Sequence, residues 1–391
     1  MKRIKYYSLS CCFFLFVSCN IDKWDLEDQS NQLIPNYSLT LNTLECNPSF
    51  STNIFSIDKD NFITAVRSID NTIKVIKITQ TLNTDSWTLN HEIVKNIDGD
   101  KLVGFEKIND FYYLTTASAG SYKITKFDKG LNEISSFSSF ESYIDTSYND
   151  INGIELSTMA MDTASGIYLG GHLSSFSKEY SCLIKLDEDL NPLYIKTYFE
   201  NDTIKAILPL STENFIVVNQ NGDKIELISD HTNGKSYQKY DLTLNELFHS
   251  AQLIQLNSKL YLAGYVSSGT GKTIEISLGD KNAFIADVKN YEVNGIVVEG
   301  SSRNSLLISG VTKQGKERSG FVSEFKDKNY VWCNAYQDKK YVKSLALTQT
   351  LKLGLAYLYL VEENGMFFLH LIRTDEEGAT LQNPFELNCV Q

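Results

Sequence analysis

Seven times along this chain an apolar, aromatic-rich run of about half a dozen residues returns at nearly the same interval. The runs begin at Asn61, Phe111, Gly166, Asn214, Lys259, Ser305 and Lys352, with successive starts 50, 55, 48, 45, 46 and 47 residues apart. A fixed period of this length means one supersecondary unit packed against copies of itself, because a single unit cannot bury its apolar face alone. A second, gapless motif gives the same spacing. Lys77–Asn83, Lys126–Asn132, Lys185–Asn191 and Arg373–Ala379 share a basic residue, usually Asp two positions on, then Leu-Asn or Gly-Ala. Their steps are 49, 59 and 188 residues. Since 188 is four times 47, three altered copies are expected between Lys185 and Arg373.

Each unit reads as four short strands. In the third, these are Leu156–Met161, Gly166–Leu173, Tyr180–Leu186 and Pro192–Phe199, joined by turn residues such as Asp162-Thr-Ala-Ser-Gly166. Apolar runs this short, rich in β-branched and aromatic residues, are strands rather than helix segments. Asp241–Leu256 is the nearest thing to a helix and is expected to hold one turn. Four-stranded units repeated seven times specify an all-β fold, a single seven-bladed β-propeller. The 22 Tyr and 21 Phe suit the wedges between blades, so most aromatics are expected in the core.

The first residues carry an address. Lys2, Arg3 and Lys5 precede an apolar stretch from Tyr6 to Val17, too short to cross a bilayer of roughly 30 Å. This is the layout of a secretory signal peptide. Phe16-Val17-Ser18-Cys19 resembles the lipobox of bacterial lipoproteins, which implies cleavage before Cys19, its acylation, and attachment to a membrane through the N-terminal lipid. The acids Asp22, Asp25, Glu27 and Asp28 resemble the surface-export signal of lipoproteins of the Bacteroidota, which implies an outer-membrane anchor with the domain facing outward. The expected division is residues 1–18 signal peptide, 19–48 acidic tether and closing strand, and 49–391 propeller. Loss of the signal leaves 33 basic against 48 acidic residues, a net charge of −15. That excludes nucleic acid as a partner, since binding it requires neutralising phosphates. Cys182–Tyr194 and Phe321–Trp332 also resemble a propeller-repeat style of secreted bacterial proteins; that likeness implies a fold and no activity.

A propeller must join its first and last blades. Tyr37 to Leu44 is expected to add a strand to the last blade, and Cys46 and Cys389 to form a disulfide that locks the ring. Cys182 and Cys333 read as small core residues. The search for chemistry is thin. His91, His172, His231, His249 and His370 have no metal-ligand spacing, and there is no CxxC pair. Ser267–Thr273 lacks the first glycine of a phosphate loop, and Asp98-Gly-Asp100 and Asp58-Lys-Asp60 lack the late Glu of a calcium loop. No metal, cofactor or catalytic residue is therefore expected. Asp162-Thr163-Ala164 and Asp202-Thr203-Ile204 resemble the O-glycosylation acceptor of the Bacteroidota, which implies modification at Thr163 and Thr203. The expected function is a non-enzymatic binding or scaffolding module with protein partners in an outer-membrane assembly. The alternative is a glycan-binding or glycan-cleaving lipoprotein of a polysaccharide uptake system.

Overall fold

The computed structural model describes residues 37–391 apart from 51, 59, 83–85, 119–120, 139–150, 163, 165, 176–177, 201, 232–237, 278–281, 301–303, 315–316, 351–353, 376–384 and 387–391. The N-terminal strand β1 (Tyr37–Glu45) precedes the seven blades. Blade one is β2 (Ile54–Ser56), β3 (Asn61–Arg67), β4 (Thr72–Leu82) and β5 (Trp87–Asp98). Blade two is β6 (Lys101–Ile108), β7 (Phe111–Ser118), β8 (Ser121–Phe127) and β9 (Glu133–Ser138). Blade three is β10 (Ile151–Met161), β11 (Ile167–Ser175), β12 (Glu179–Leu186) and β13 (Pro192–Glu200). Blade four is β14 (Thr203–Pro209), β15 (Asn214–Asn221), β16 (Lys224–His231) and β17 (Gln238–Thr243). Blade five is β18 (Phe248–Leu256), β19 (Lys259–Val266), β20 (Thr270–Ser277) and the first half of β21 (Asn282–Gly300). The second half of β21 opens blade six, which continues through β22 (Leu306–Gln314), β23 (Glu317–Lys326) and β24 (Asn329–Tyr336). Blade seven is β25 (Tyr341–Gln349), β26 (Leu355–Glu363) and β27 (Met366–Thr374), with β1 as its outermost strand. A short β28 (Phe385–Glu386) pairs with β24. All pairings are antiparallel, and the first strands of blades two to seven meet in order around the ring. The result is a seven-bladed all-β propeller. The turn expected within Asp241–Leu256 is not helical; the chain bends once between β17 and β18.

The seven periodic runs are the second strands of the blades. Each second strand is covered on both faces by its neighbours, so it reads as continuous rather than alternating apolar sequence; β26 has burial at every position from Leu355 to Val361. Aromatic rings fill the wedges between blades: Tyr168 lies 5.5 Å from Phe215, and Phe55 lies 5.6 Å from Phe105. The Leu-Asn of the gapless motif is a turn device. Leu131 and Leu190 have φ of 62° and 69°, a region unusual for leucine. Each is buried and held by a pincer, in which Asp128 accepts the backbone N–H of Asn132 at 2.8 Å and Asp187 does the same for Asn191.

Strand register identifies the three altered motif copies. The strand-three residues opposite Ile63, Tyr113, Tyr168, Phe215, Tyr261, Leu307 and Ala356 are Lys77, Lys126, Lys185, Asp230, Glu275, Glu324 and Arg373. The position is charged in every blade, and it changes sign in blades four to six. All but Lys77 are buried, so each must be paired or hydrogen-bonded. Lys126 Nζ donates to Glu188 O of blade three at 2.8 Å and lies 4.6 Å from the Phe111 ring centre. Lys185 donates to Thr212 O of blade four and lies 4.7 Å from the Tyr168 ring. Arg373 donates to Gln80 of blade one at 3.0 Å and stacks 5.0 Å from Phe62. Asp230 instead receives Lys196 and, at 3.1 Å, Tyr198 from blade three. Glu275 is met by Lys259 at 2.8 Å, and Glu324 by the Trp332 indole at 2.7 Å, within their own blades.

Closure is made by backbone. Strand β1 runs antiparallel to β27, with Leu39 opposite Leu371 and Thr40 opposite His370. Cys46 N still donates to Phe367 O of blade seven at 2.8 Å; the chain then crosses to blade one, where Asn47 N donates to Arg67 O at 2.9 Å and Cys46 bridges Ser68. The expected Cys46 disulfide is not made. Cys46 is a free, buried thiol whose Sγ lies 3.7 Å from Leu44 O, and burial pushes it up to about 12. Cys389 lies outside the described residues, but the last described strand, β28, pairs on blade six and not beside Cys46. Cys333 on β24 is the disulfide-bonded residue, whereas Cys182 is a free core cysteine as expected.

Asp230→Ala leaves Lys196 without its anion between blades three and four. Breaking such a pair costs about 3 kcal/mol. Urea denaturation should give that loss for Asp230→Ala and a near-neutral result for the exposed ion pair variant Lys178→Ala.

Candidate functional site

Cys19 and Thr163 lie outside the described residues. Thr203 opens β14, half-buried, with its backbone opposite Gln220. The five histidines stand on five different strands of blades one, three, four, five and seven. Among the described residues no three His, Cys, Asp or Glu side chains are placed to hold a metal ion, and no helix is long and apolar enough to cross a membrane.

One cluster has the residue types of a hydrolase. His370 is fully buried; its Nε2 is 2.7 Å from Ser38 Oγ and its Nδ1 is 2.8 Å from Thr40 Oγ1. Asp338 accepts hydrogen bonds from Ser38 Oγ at 2.8 Å and from Tyr341 OH at 2.6 Å. Ser38 has one proton and gives it to Asp338, so its oxygen accepts from His370 Nε2–H, and Nδ1 accepts from Thr40. A nucleophilic serine gives its proton to the imidazole instead. The cluster is therefore a clasp: it ties the closing strand β1 to β27 and to the turn before β25. Burial holds the imidazole well below its ordinary 6.5, opposed by the Asp338 and Glu363 carboxylates and aided by Lys339.

Two hollows open towards opposite ends of the propeller. The first lies among the inner strands of blades two to five, towards the ends where those strands turn into the second ones. Among the described residues its walls set Met159, Met161, Leu208 and Leu253 beside Glu106, Thr158 and Gln252, and its volume is about 310 Å³. These side chains are buried or half-buried, so the recess presents apolar and polar groups together. The second is a cleft of about 360 Å³ between blades two and three, at the opposite ends of the inner strands. It is polar. Lys101 Nζ is 2.8 Å from Glu155 Oε1, His172 Nε2 is 3.7 Å from Glu155 Oε2, and Ser118 donates to Asp100 at 3.2 Å. The Lys101 hydrogen bond holds the Glu155 carboxyl below its ordinary range, against a smaller opposing effect of burial. Neither hollow was visible as a motif, because each draws on residues about 50 positions apart.

No family profile and no characterised protein sequence matches the chain. Solved structures do resemble it. BBS1N, crystallised in complex with ARL6DN, aligns with a TM-score of 0.52 at 10% identity, covering 87% of this chain and 96% of that one. Raptor of Chaetomium thermophilum aligns with a TM-score of 0.54 at 11% identity, covering 88% of this chain and 29% of that one. The Dos1 propeller aligns at 0.48 and 11% identity over 81% of this chain and 76% of that one. At such identities the likeness is one of fold alone.

The clasp sets a pH dependence. His370 is neutral in the folded chain at pH values where the unfolded chain already binds a proton. Its contribution to stability is complete above about pH 6.5 and is lost as pH falls below that value. Unfolding free energies from denaturant titrations at about pH 7.5 and about pH 5 should differ by about 1–2 kcal/mol more for the native chain than for His370→Gln.

Proposed function

We propose that this chain is a lipid-anchored envelope protein whose propeller is a non-enzymatic binding module, and that the axial recess receives a segment of a partner protein. The observation that carries this reading is the recess itself. Three blades contribute buried and half-buried Met, Leu, Ile and Pro side chains to one hollow and a fourth contributes Glu106, and a concave hollow that sets apolar side chains beside a few polar groups suits a segment of a protein ligand. The Phe16–Cys19 segment supports attachment through a lipid on Cys19, and the acids from Asp22 to Asp28 support an outward-facing position. A lipid anchor and a rigid ring together suit a scaffold within an outer-membrane assembly. More than one acyl chain would make that anchorage stable where a single chain is marginal. The second reading, contact with glycan, draws on the polar cleft between blades two and three.

Affinity capture from detergent-solubilised membranes tests the first reading. The native chain should return a stoichiometric protein partner. Met161→Glu, which places a charge in the recess, should lose it while melting at the native temperature. Cys19→Ser should move the protein from the membrane to the soluble fraction. Capture of the same partner by native and Met161→Glu chains alike would refute the recess as the docking site.

A further inference from the structure

The polar cleft is built differently from the recess. Its groups come from the start of β6, the end of β7, the start of β10 and the end of β11, so it opens where the fourth-to-first and second-to-third connections emerge. Glycine makes its shape possible. A Cβ on Gly171 would stand 2.0 Å from Glu155 O, so only glycine lets β10 lie close enough to present Glu155 there. Among the described residues a Cβ on Gly153 would meet only Ser174 Oγ, at 3.5 Å, so that a larger side chain there would reach into the cleft.

The chemistry of the walls selects among ligands. Glu155 is paired in place with Lys101, with His172 alongside, while Asp100 stands at the exposed edge. An anion would meet two carboxylates against one ammonium. A metal ion lacks a ligand set, since no three suitable side chains converge among the described residues. What the walls offer instead is alternating donors and acceptors: the Lys101 ammonium, the Glu155 and Asp100 oxygens, the His172 imidazole and the Ser118 hydroxyl. The Tyr122 hydroxyl accepts Leu156 N–H at 3.1 Å, which leaves its own proton to donate. Ala117 and half-buried Ile154 add an apolar strip. A ring of vicinal hydroxyls with one C–H face needs this combination: each hydroxyl both gives and accepts a hydrogen bond, and the C–H face lies on apolar carbon.

We infer that the cleft between blades two and three binds a single neutral pyranose residue of a glycan, with Glu155 and Lys101 engaging adjacent hydroxyls and Ile154 lying under the ring. The inference deepens the glycan reading and is independent of the axial recess. Affinity is in the weak range typical of one small site, since few polar groups are fixed and the cleft is open.

Saturation-transfer NMR with methyl glycosides of neutral hexoses tests it on the folded chain. At least one glycoside should receive transfer at its ring C–H protons. Glu155→Gln should weaken binding at least tenfold, and Gly153→Val, whose side chain would reach into the cleft, should abolish it. Gly153→Ala serves if the valine variant melts early. Transfer that survives both Gly153 variants would place glycan binding elsewhere and overturn the cleft while sparing the broader reading. Absence of transfer to every hexose would overturn both. Displacement of the glycoside by equimolar inorganic phosphate or methylammonium would show a site for charge and overturn the inference.

Discussion

The ladder between β1 and β27 is the contact on which the other blades depend. A ring of sheets has no closed core until its last blade meets its first, and here that junction joins residues more than 300 positions apart. The closing strand does three jobs at once. It supplies the outer edge of blade seven, it buries Leu41 and Leu44 against blades one and seven, and it delivers Ser38 and Thr40 to both nitrogens of His370. Residues 45–47 then carry the hydrogen bonding across to Arg67 and Ser68 of blade one. Closure therefore relies on a backbone ladder plus a buried polar clasp, and Cys46 takes part through its main chain while its thiol stays free.

In four of the seven units, the charged strand-three position adds a side-chain contact to a neighbouring blade. Burying a charge costs several kcal/mol unless a partner is held ready. Lys126, Lys185 and Arg373 find theirs in the following blade, and Asp230 finds its own in the preceding one. These contacts favour one angular relation between blades over simple apolar stacking, because an aromatic wedge alone tolerates sliding and a directed hydrogen bond does not.

The fold was legible because second strands are buried on both faces and so repeat as unbroken apolar runs. The turn device was legible for the same local reason, with Asp128 and Asn132 four residues apart. The altered copies were only partly so: Glu324 stands where Lys is usual in the likeness of Phe321–Trp332 to Cys182–Tyr194, but a search for a basic residue cannot find Asp230 or Glu275, whose equivalence appears only in strand register. The cysteines misled because nearness of Cys46 and Cys389 to the chain ends says nothing of the route the tail takes, and β28 takes it to blade six. His370 looked like a lone histidine because its partners Ser38 and Thr40 lie over 300 residues upstream. The hollows were illegible altogether. Met161, Leu208 and Leu253 meet only because the ring brings the tails of successive inner strands together.

The ring thus presents a recess of mixed character towards one end and a cleft carrying charged side chains towards the other. The central claim is that the recess is where a partner protein docks. Site-specific photocrosslinking in living cells tests it most directly, with a benzophenone side chain placed at Leu208 in the recess and, separately, at the exposed outer-strand residue Ile134. The account predicts one discrete crosslinked protein from Leu208 and none from Ile134. Crosslinking of a partner from Ile134 with none from Leu208 would contradict it.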